Sequence, residues 1–289
     1  MGPKGILLAV LVLIGIGFGV FWIGAARGRP WRPRVIDLII GFVTDFFDTL
    51  GIGSFAVTTS IYKIGNLVDD AEIPGTLNVG HGIPTVAQAL IYITYVKVEM
   101  TTLASMIAAS VLGAWLGAGV VARWPRRRIQ LGMGVLLIVA AAIIVLRLRG
   151  SVPAGSDALG LHGSLLAVGV AGNFVLGAFM TLGIGLYAPC MILVSLLGMN
   201  PTAAFPIMMG SCAFLMPAAS TRFIREGRYN LPASVGLTLA GTPAVIIAAK
   251  LVESLRLDVV KWLVVAVVVY TAVTMLRSAA KEGRLARNG

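Results

Sequence analysis

The sequence predicts an all-α polytopic membrane protein built from two inverted repeats, each a re-entrant helical hairpin followed by three transmembrane helices, with one extra helix in front. Three observations predict it. Apolar runs of spanning length, roughly 20 residues, fill most of the chain; two of the longest are broken midway by Gly-x-Gly; and the breaks recur at a fixed separation. Of the 289 residues, 58% are hydrophobic and only 12% charged, and the mean hydropathy is +0.93. A soluble domain carries about 25% charged residues, so composition alone moves the chain to the membrane class.

The formal charge of +11 invites a nucleic-acid reading. The basic residues, however, sit in short clusters between apolar runs, as cytoplasmic loops of membrane proteins do, and no aromatic-interleaved basic surface accompanies them. Nucleic acid is therefore not an expected partner; the lipid bilayer is. Cys190 and Cys212 both lie in apolar surroundings, which is not the pattern of a disulfide framework.

The first apolar run, Gly5 to Ala26, has only Lys4 ahead of it and Arg27, Arg29, Arg32 and Arg34 directly behind. It is longer than a signal-peptide core, and the arginines read as a stop to translocation, so residues 1–35 are expected to form an N-terminal helix and basic loop with the N-terminus outside. Spanning segments follow at about 73–95, 100–122, 130–147, 203–222, 231–252 and 259–277. Segments 36–66 and 163–198 are too long for one simple helix, and Gly51-Ile52-Gly53 and Gly183-Ile184-Gly185 interrupt them. Paired glycines weaken a helix and permit a tight turn, and such a break needs its freed backbone groups covered by protein or facing a wet cavity.

Gly51 is as far from Gly183 as Gly53 is from Gly185, so the two breaks are in register. Trp124-Pro125-Arg126 likewise corresponds to the region of Leu255-Arg256-Leu257, and Val98-Glu99-Met100 to Tyr229-Asn230-Leu231. One repeat is thus 36–147 and the other 163–277, joined by a linker at 148–162 and followed by a basic tail at 278–289. Duplication with broken helices at equivalent places points to secondary transport. Arginines gather at 27–34, 123–128, 222–228 and in the C-terminal tail. If all four clusters are cytoplasmic, each broken segment must leave on the side it entered, giving seven spans, two hairpins of opposite entry, N-out and C-in. If both segments cross fully, there are nine spans and the units run parallel.

Gly51-Ile52-Gly53-Ser54-Phe55, Gly183-Ile184-Gly185-Leu186-Tyr187-Ala188-Pro189, the small-residue run Gly113-Ala114-x-x-Gly117-Ala118 and Arg228-Tyr229-Asn230 together resemble the TauE/SafE sulfite exporter family, the sulfonate-uptake permeases, over about 36–277. The first break departs from the family's usual run of three glycines, with Ser54 and Phe55 in place. The resemblance implies a bacterial inner-membrane secondary transporter, an exporter of small sulfur-containing anions such as sulfite, sulfoacetate or another organosulfonate, working by alternating access between the two units. The alternative it leaves open is an uptake permease or channel for another small anion such as thiosulfate. A homo-oligomer is compatible with either.

An oxyanion in a bilayer can be held by helix N-termini, whose free N–H groups and dipole supply positive potential. The half-helices after each break are expected to begin at Ser54 and Leu186, so Gly53, Ser54, Thr58, Gly185, Tyr187 and Cys190 are candidate substrate contacts. Capping or packing is the competing reading for each of the side chains. In the next segments Asn78, His81 and Ser211 are candidates, His81 also as a proton carrier because its reference pKa of about 6.5 permits either state. Asp45 and Asp48, three apart within the membrane, are costly there and read as proton-coupling groups or as carboxyls tying the hairpin to its neighbours. No cluster has metal-ligand spacing and no phosphate-binding loop is present, so neither an enzyme nor a cofactor or metal is expected.

Overall fold

The computed structural model describes residues 2–121, 126–148, 158–180, 185–254 and 257–288, and these are helical with no strand among them. The helices are α1 (Pro3–Ala26), α2 (Val35–Thr49), α3 (Ser54–Ile64), α4 (Ile73–Gly80), α5 (Gly82–Tyr95), α6 (Met100–Val121), α7 (Arg126–Leu148), α8 (Gly163–Met180), α9 (Tyr187–Leu196), α10 (Ala204–Glu226), α11 (Leu231–Ser254) and α12 (Leu257–Asn288). Among the described residues four helical stretches are long and apolar enough to cross a membrane: Pro3–Ala26, Gly163–Met180, Pro201–Glu226 and Leu231–Leu251. The chain is an all-helical membrane protein. Its surface agrees, because Leu13, Ile16, Val20, Ile23, Ile64 and Trp115 are exposed while Asp45, Asp48, His81 and Gln88 are buried, the reverse of a soluble domain. On α1 only the stripe Leu11, Gly15, Phe18 and Trp22 turns inward.

The expected helix at 73–95 is interrupted only at His81, which stays in the right-handed region at φ −85° and ψ −4°. His81 N–H donates to the Leu77 carbonyl and Thr85 N–H to the His81 carbonyl, so the rod is nearly continuous. The first break is a turn that needs glycine. Gly51 and Gly53 have φ of +95° and +83°, a region that side chains disfavour, and Gly51 N–H closes back on the Asp48 carbonyl. Of the second break, Gly183 and Ile184 lie outside the described residues, and Gly185 is not among the glycines with positive φ. Trp124, Pro125, Leu255 and Arg256 also lie outside the described residues, as does most of the 148–162 linker.

The helices on either side of each Gly-x-Gly pack on one another. Tyr62, near the end of α3, shares a core cluster with Ile40, near the beginning of α2. Leu193 and Leu197, at the end of α9, press on Gly172 and Gly169 in the first half of α8, where a Cβ would lie 2.7 and 3.3 Å from them.

Two seams hold the helices together. Along the first, α2 and α11 run parallel and nearly touch by backbone. A Cβ on Gly41 would lie 2.6 Å from Leu237 Cα, one on Gly236 2.5 Å from Asp37 Cβ, and one on Gly241 would strike Asp45 Oδ2. Along the second, α6 and α8 also run parallel. Asn173 donates to the Met106 carbonyl at 2.7 Å, and a Cβ on Gly177 would overlap Ser110. Asp37, Gly41 and Asp45 are separated from Gly169, Asn173 and Gly177, respectively, by the same interval that separates Gly51 from Gly183, so the two seams use equivalent positions. Two other pairs run antiparallel. Across α4/α5 and α10, Tyr92 stacks on Phe205 at 5.1 Å between centroids, while Gly75 abuts Phe223 and Arg228. Across α7 and α12, Arg127 Nε donates to the Ala279 carbonyl at 3.3 Å and Gly134 abuts Leu276.

Candidate functional site

Both breaks line one cavity of about 70 Å³. By the same kind of measure one water needs about 10–15 Å³, so the space suits a small polyatomic molecule. Ile52, Gly53, Ser54 and Phe55 come from the first break; Gly185, Leu186, Tyr187 and Ala188 come from the second. Asp48 closes one side, with Thr85 of α5 beside it, and Met180, Cys212 and Met216 face them, while α12 contributes Tyr270, Thr271, Thr274 and Met275. No lysine, arginine or histidine stands among the described lining residues.

Asp48 is wired entirely as an acceptor. Its Oδ1 takes the Ser54 backbone N–H, and its Oδ2 takes Gln88 Nε2 at 2.9 Å. Gln88 is itself fully used: Nε2 also donates to Thr49 Oγ1 at 3.0 Å, and Oε1 accepts the Tyr187 hydroxyl at 2.8 Å. This fixes the amide's orientation, because only its nitrogen can face a carboxylate. Tyr187, from the second half of the chain, is thereby tied through Gln88 to an acid of the first half.

Behind Asp48 lies a second acid. Asp45 Oδ1 and His81 Nδ1 are 2.8 Å apart, and both side chains are 0% exposed. His81 Nε2 lies 3.3 Å from Thr58 Oγ1, whose own proton goes to the Ser54 carbonyl at 2.9 Å. With the Thr58 proton directed at that carbonyl, the Thr58 oxygen accepts from His81 Nε2–H. One further proton between Nδ1 and Asp45 then makes this arrangement of the pair neutral overall. Asp45 Oδ2 is buried without a hydrogen-bond partner, pressed instead against Gly241.

Of the residues read from the sequence, Gly53, Ser54, Gly185, Tyr187 and Asp48 line the cavity, while Thr58, His81 and Asp45 form the buried layer behind it. Three fall elsewhere. Asn78 is not a cavity residue, because its amide is spent on the Pro74 carbonyl one turn back on its own helix, at 2.8 Å. Ser211 instead takes a hydrogen bond from Asn173 Nδ2 at 3.1 Å between α10 and α8. Cys190 is buried in the apolar core, and the thiol at the cavity is Cys212, 3.5 Å from Met180 Sδ. The expected cradle of free N–H groups at Ser54 is also altered, since the protein's own carboxylate caps that N–H. Gln88 is the main residue the sequence reading passed over. A glutamine seven positions after His81 within an apolar run lies on nearly the same helix face, and that was the available signal.

Among the described residues no group of three or more His, Cys, Asp or Glu is gathered as a metal site requires. Comparison with protein-family models, with curated proteins and with solved structures finds no match for this chain.

Proposed function

We propose that this protein is a secondary transporter of small sulfur-containing anions, an exporter of sulfite or an organosulfonate, acting by alternating access in a bacterial inner membrane. The observation that carries transport is the shared cavity: two helix breaks, far apart in the chain but at equivalent places in its two halves, line one small chamber inside an apolar helical body. Breaks of this kind are how transporters build central sites. The choice of a sulfur anion rests on the TauE/SafE resemblance.

The repeat reading draws support from packing direction. The equivalent elements α4/α5 and α10 meet antiparallel, as do α7 and α12. Equivalents related by an axis along the membrane normal would meet parallel, so the antiparallel pairs favour an inverted relation with an axis in the membrane plane. The packing of α3 on α2 and of α9 on α8 favours hairpins over full crossings. With the arginine clusters cytoplasmic, the topology is N-out and C-in.

The test has two stages. A thermal-shift panel of sulfite, sulfate, thiosulfate, methanesulfonate and sulfoacetate should raise the melting temperature with one or more of these anions, since a ligand of the native state stabilises it. Proteoliposomes holding the protein should then move the best ligand. Neither stabilisation nor protein-dependent flux with any of the five would overturn the proposal.

A further inference from the structure

We infer that the cavity takes a single negative charge together with a proton, the proton being held by Asp48, so that one proton accompanies each monoanion. This rests on the transport reading above and assigns the ionic form that the site accepts.

The first ground is the charge of the walls. Asp48 is an acid at the cavity, and no lysine, arginine or histidine lines it among the described residues. The groups facing Asp48 from every side leave it uncompensated. On its own helix is Asp45; from the next segment come His81 and Gln88; from α9 comes Tyr187; from α10 comes Cys212; and α12 presents Tyr270. Asp45 and His81 share a proton and cancel. Tyr187 and Gln88 are neutral, and the tyrosine proton is committed to Gln88 Oε1. An anion entering beside an ionised Asp48 would meet a like charge with no cation among the described lining residues to offset it, in a site walled by Ile52, Phe55, Met180, Leu186, Met216 and Met275.

The second ground is hydrogen-bond geometry. Each Asp48 oxygen accepts one bond from the protein, from Ser54 N–H and from Gln88 Nε2, and neither donor can turn into an acceptor. A proton added to Asp48 can go to neither of them, and beside them the Tyr187 hydroxyl oxygen, whose own proton goes to Gln88 Oε1, is a neutral acceptor. A substrate oxyanion in the cavity is a stronger, charge-assisted acceptor for it. The carboxyl O–H donates to the substrate oxygen, no bond within the anion is broken, and the proton leaves with the anion. The capped N-terminus of α3 keeps its place throughout.

The third ground is the difference between the two halves at equivalent positions. At the spacing of the repeat, Met180 is the counterpart of Asp48, Gly177 of Asp45, Cys190 of Thr58 and Ala213 of His81. The first half supplies acid, imidazole and hydroxyl where the second supplies sulfur, glycine and alanine. Among the described lining residues the one carboxyl is Asp48. A dianion would need a second compensating charge that the second half does not offer.

Isothermal titration of the full-length protein in detergent, with methanesulfonate in buffers of different ionisation enthalpy, counts protons taken up on binding. The sulfonate does not titrate, so any proton goes to the protein. At alkaline pH, where Asp48 of the free protein is ionised, the expected result is uptake of one proton per anion and an affinity falling roughly tenfold per pH unit. Sulfate is expected to bind far more weakly than methanesulfonate. Asp48→Asn mimics the protonated acid and should bind without proton uptake and without pH dependence, whereas Asp48→Glu should keep the uptake. Binding by the unaltered protein at alkaline pH with no proton uptake and no fall of affinity with pH overturns the inference, even if the variants fail to fold. Uptake persisting in a folded Asp48→Asn protein, or sulfate binding as tightly as methanesulfonate, also overturns it. Absence of binding by every anion of the five-member panel would instead bring down the transport reading itself.

Discussion

Removing His81 alone should damage the protein more than removing it together with the charge of Asp45. Both side chains are 0% exposed, and Asp45 Oδ2 already lacks a partner. In His81→Ala, Oδ1 loses the imidazole 2.8 Å away, leaving a carboxyl with no side-chain partner beside the void the ring occupied. Breaking a buried pair by deleting one partner costs about 3–5 kcal/mol. For chains of about 150–250 residues each kcal/mol moves the melting temperature by about 2–4 °C, so the loss is of the order of 10 °C. In Asp45→Asn/His81→Ala the stranded group carries no charge, and part of the loss should return as a positive coupling energy. Melting of the purified variants at fixed detergent concentration, followed by tryptophan fluorescence, measures both. A His81→Ala protein within about 1 °C of the parent, or a double variant losing the sum of the two single losses, would refute the reasoning that the pair is a neutral, mutually dependent unit.

Gly41→Ala should destabilise by about 1–3 kcal/mol, because its Cβ would meet Leu237 backbone at 2.6 Å; Gly17→Ala on α1, with nothing within 4 Å, should be neutral or stabilising by up to about 1 kcal/mol. Comparing the two melting temperatures checks this. Gly53→Ala has open space around it but a φ of +83°, so it should cost about 1–3 kcal/mol through backbone strain alone, again read by melting. A small thiol reagent should modify Cys212 faster than Cys190, and a bound anion should protect Cys212, because only Cys212 lines the cavity; mass spectrometry of the Cys190→Ser and Cys212→Ser proteins reads this directly. Asn78→Ala should leave anion binding unchanged by titration calorimetry, since its amide is engaged with Pro74.

The helical segments and the Gly51-Ile52-Gly53 turn were legible because hydrophobic length and glycine are local signals. The expectation that the two breaks meet rested only on the equal spacing of Gly51 from Gly183 and of Gly53 from Gly185, which pairs distant positions. Hydrogen-bond commitments were not legible. Spacing from His81 marks both Asn78 and Gln88 as lying near its helix face, but it does not say that Asn78 donates to its own helix while Gln88 bridges Asp48 and Tyr187. Nor does the sequence rank Cys190 against Cys212, since both sit in apolar runs and only the rotation of α9 and α10 decides which thiol faces the chamber. The capping of Ser54 by Asp48 was hidden for another reason: groups six positions apart come together here only after the chain has turned on Gly51 and Gly53.

The parallel seams carry a consequence for motion. Asp37, Gly41 and Asp45 of α2 are keyed to α11, and Ser110 of α6 to Gly177 of α8, so each helix is clasped by one from the opposite half of the chain. A rocking of residues 36–147 against 163–277 as two blocks would have to unzip both clasps at once. Helices from the two halves of the chain thus sit paired, α2 with α11 and α6 with α8. Under the transport proposal, a motion that leaves both clasps closed has to cut across residues 36–147 and 163–277 rather than pass between them.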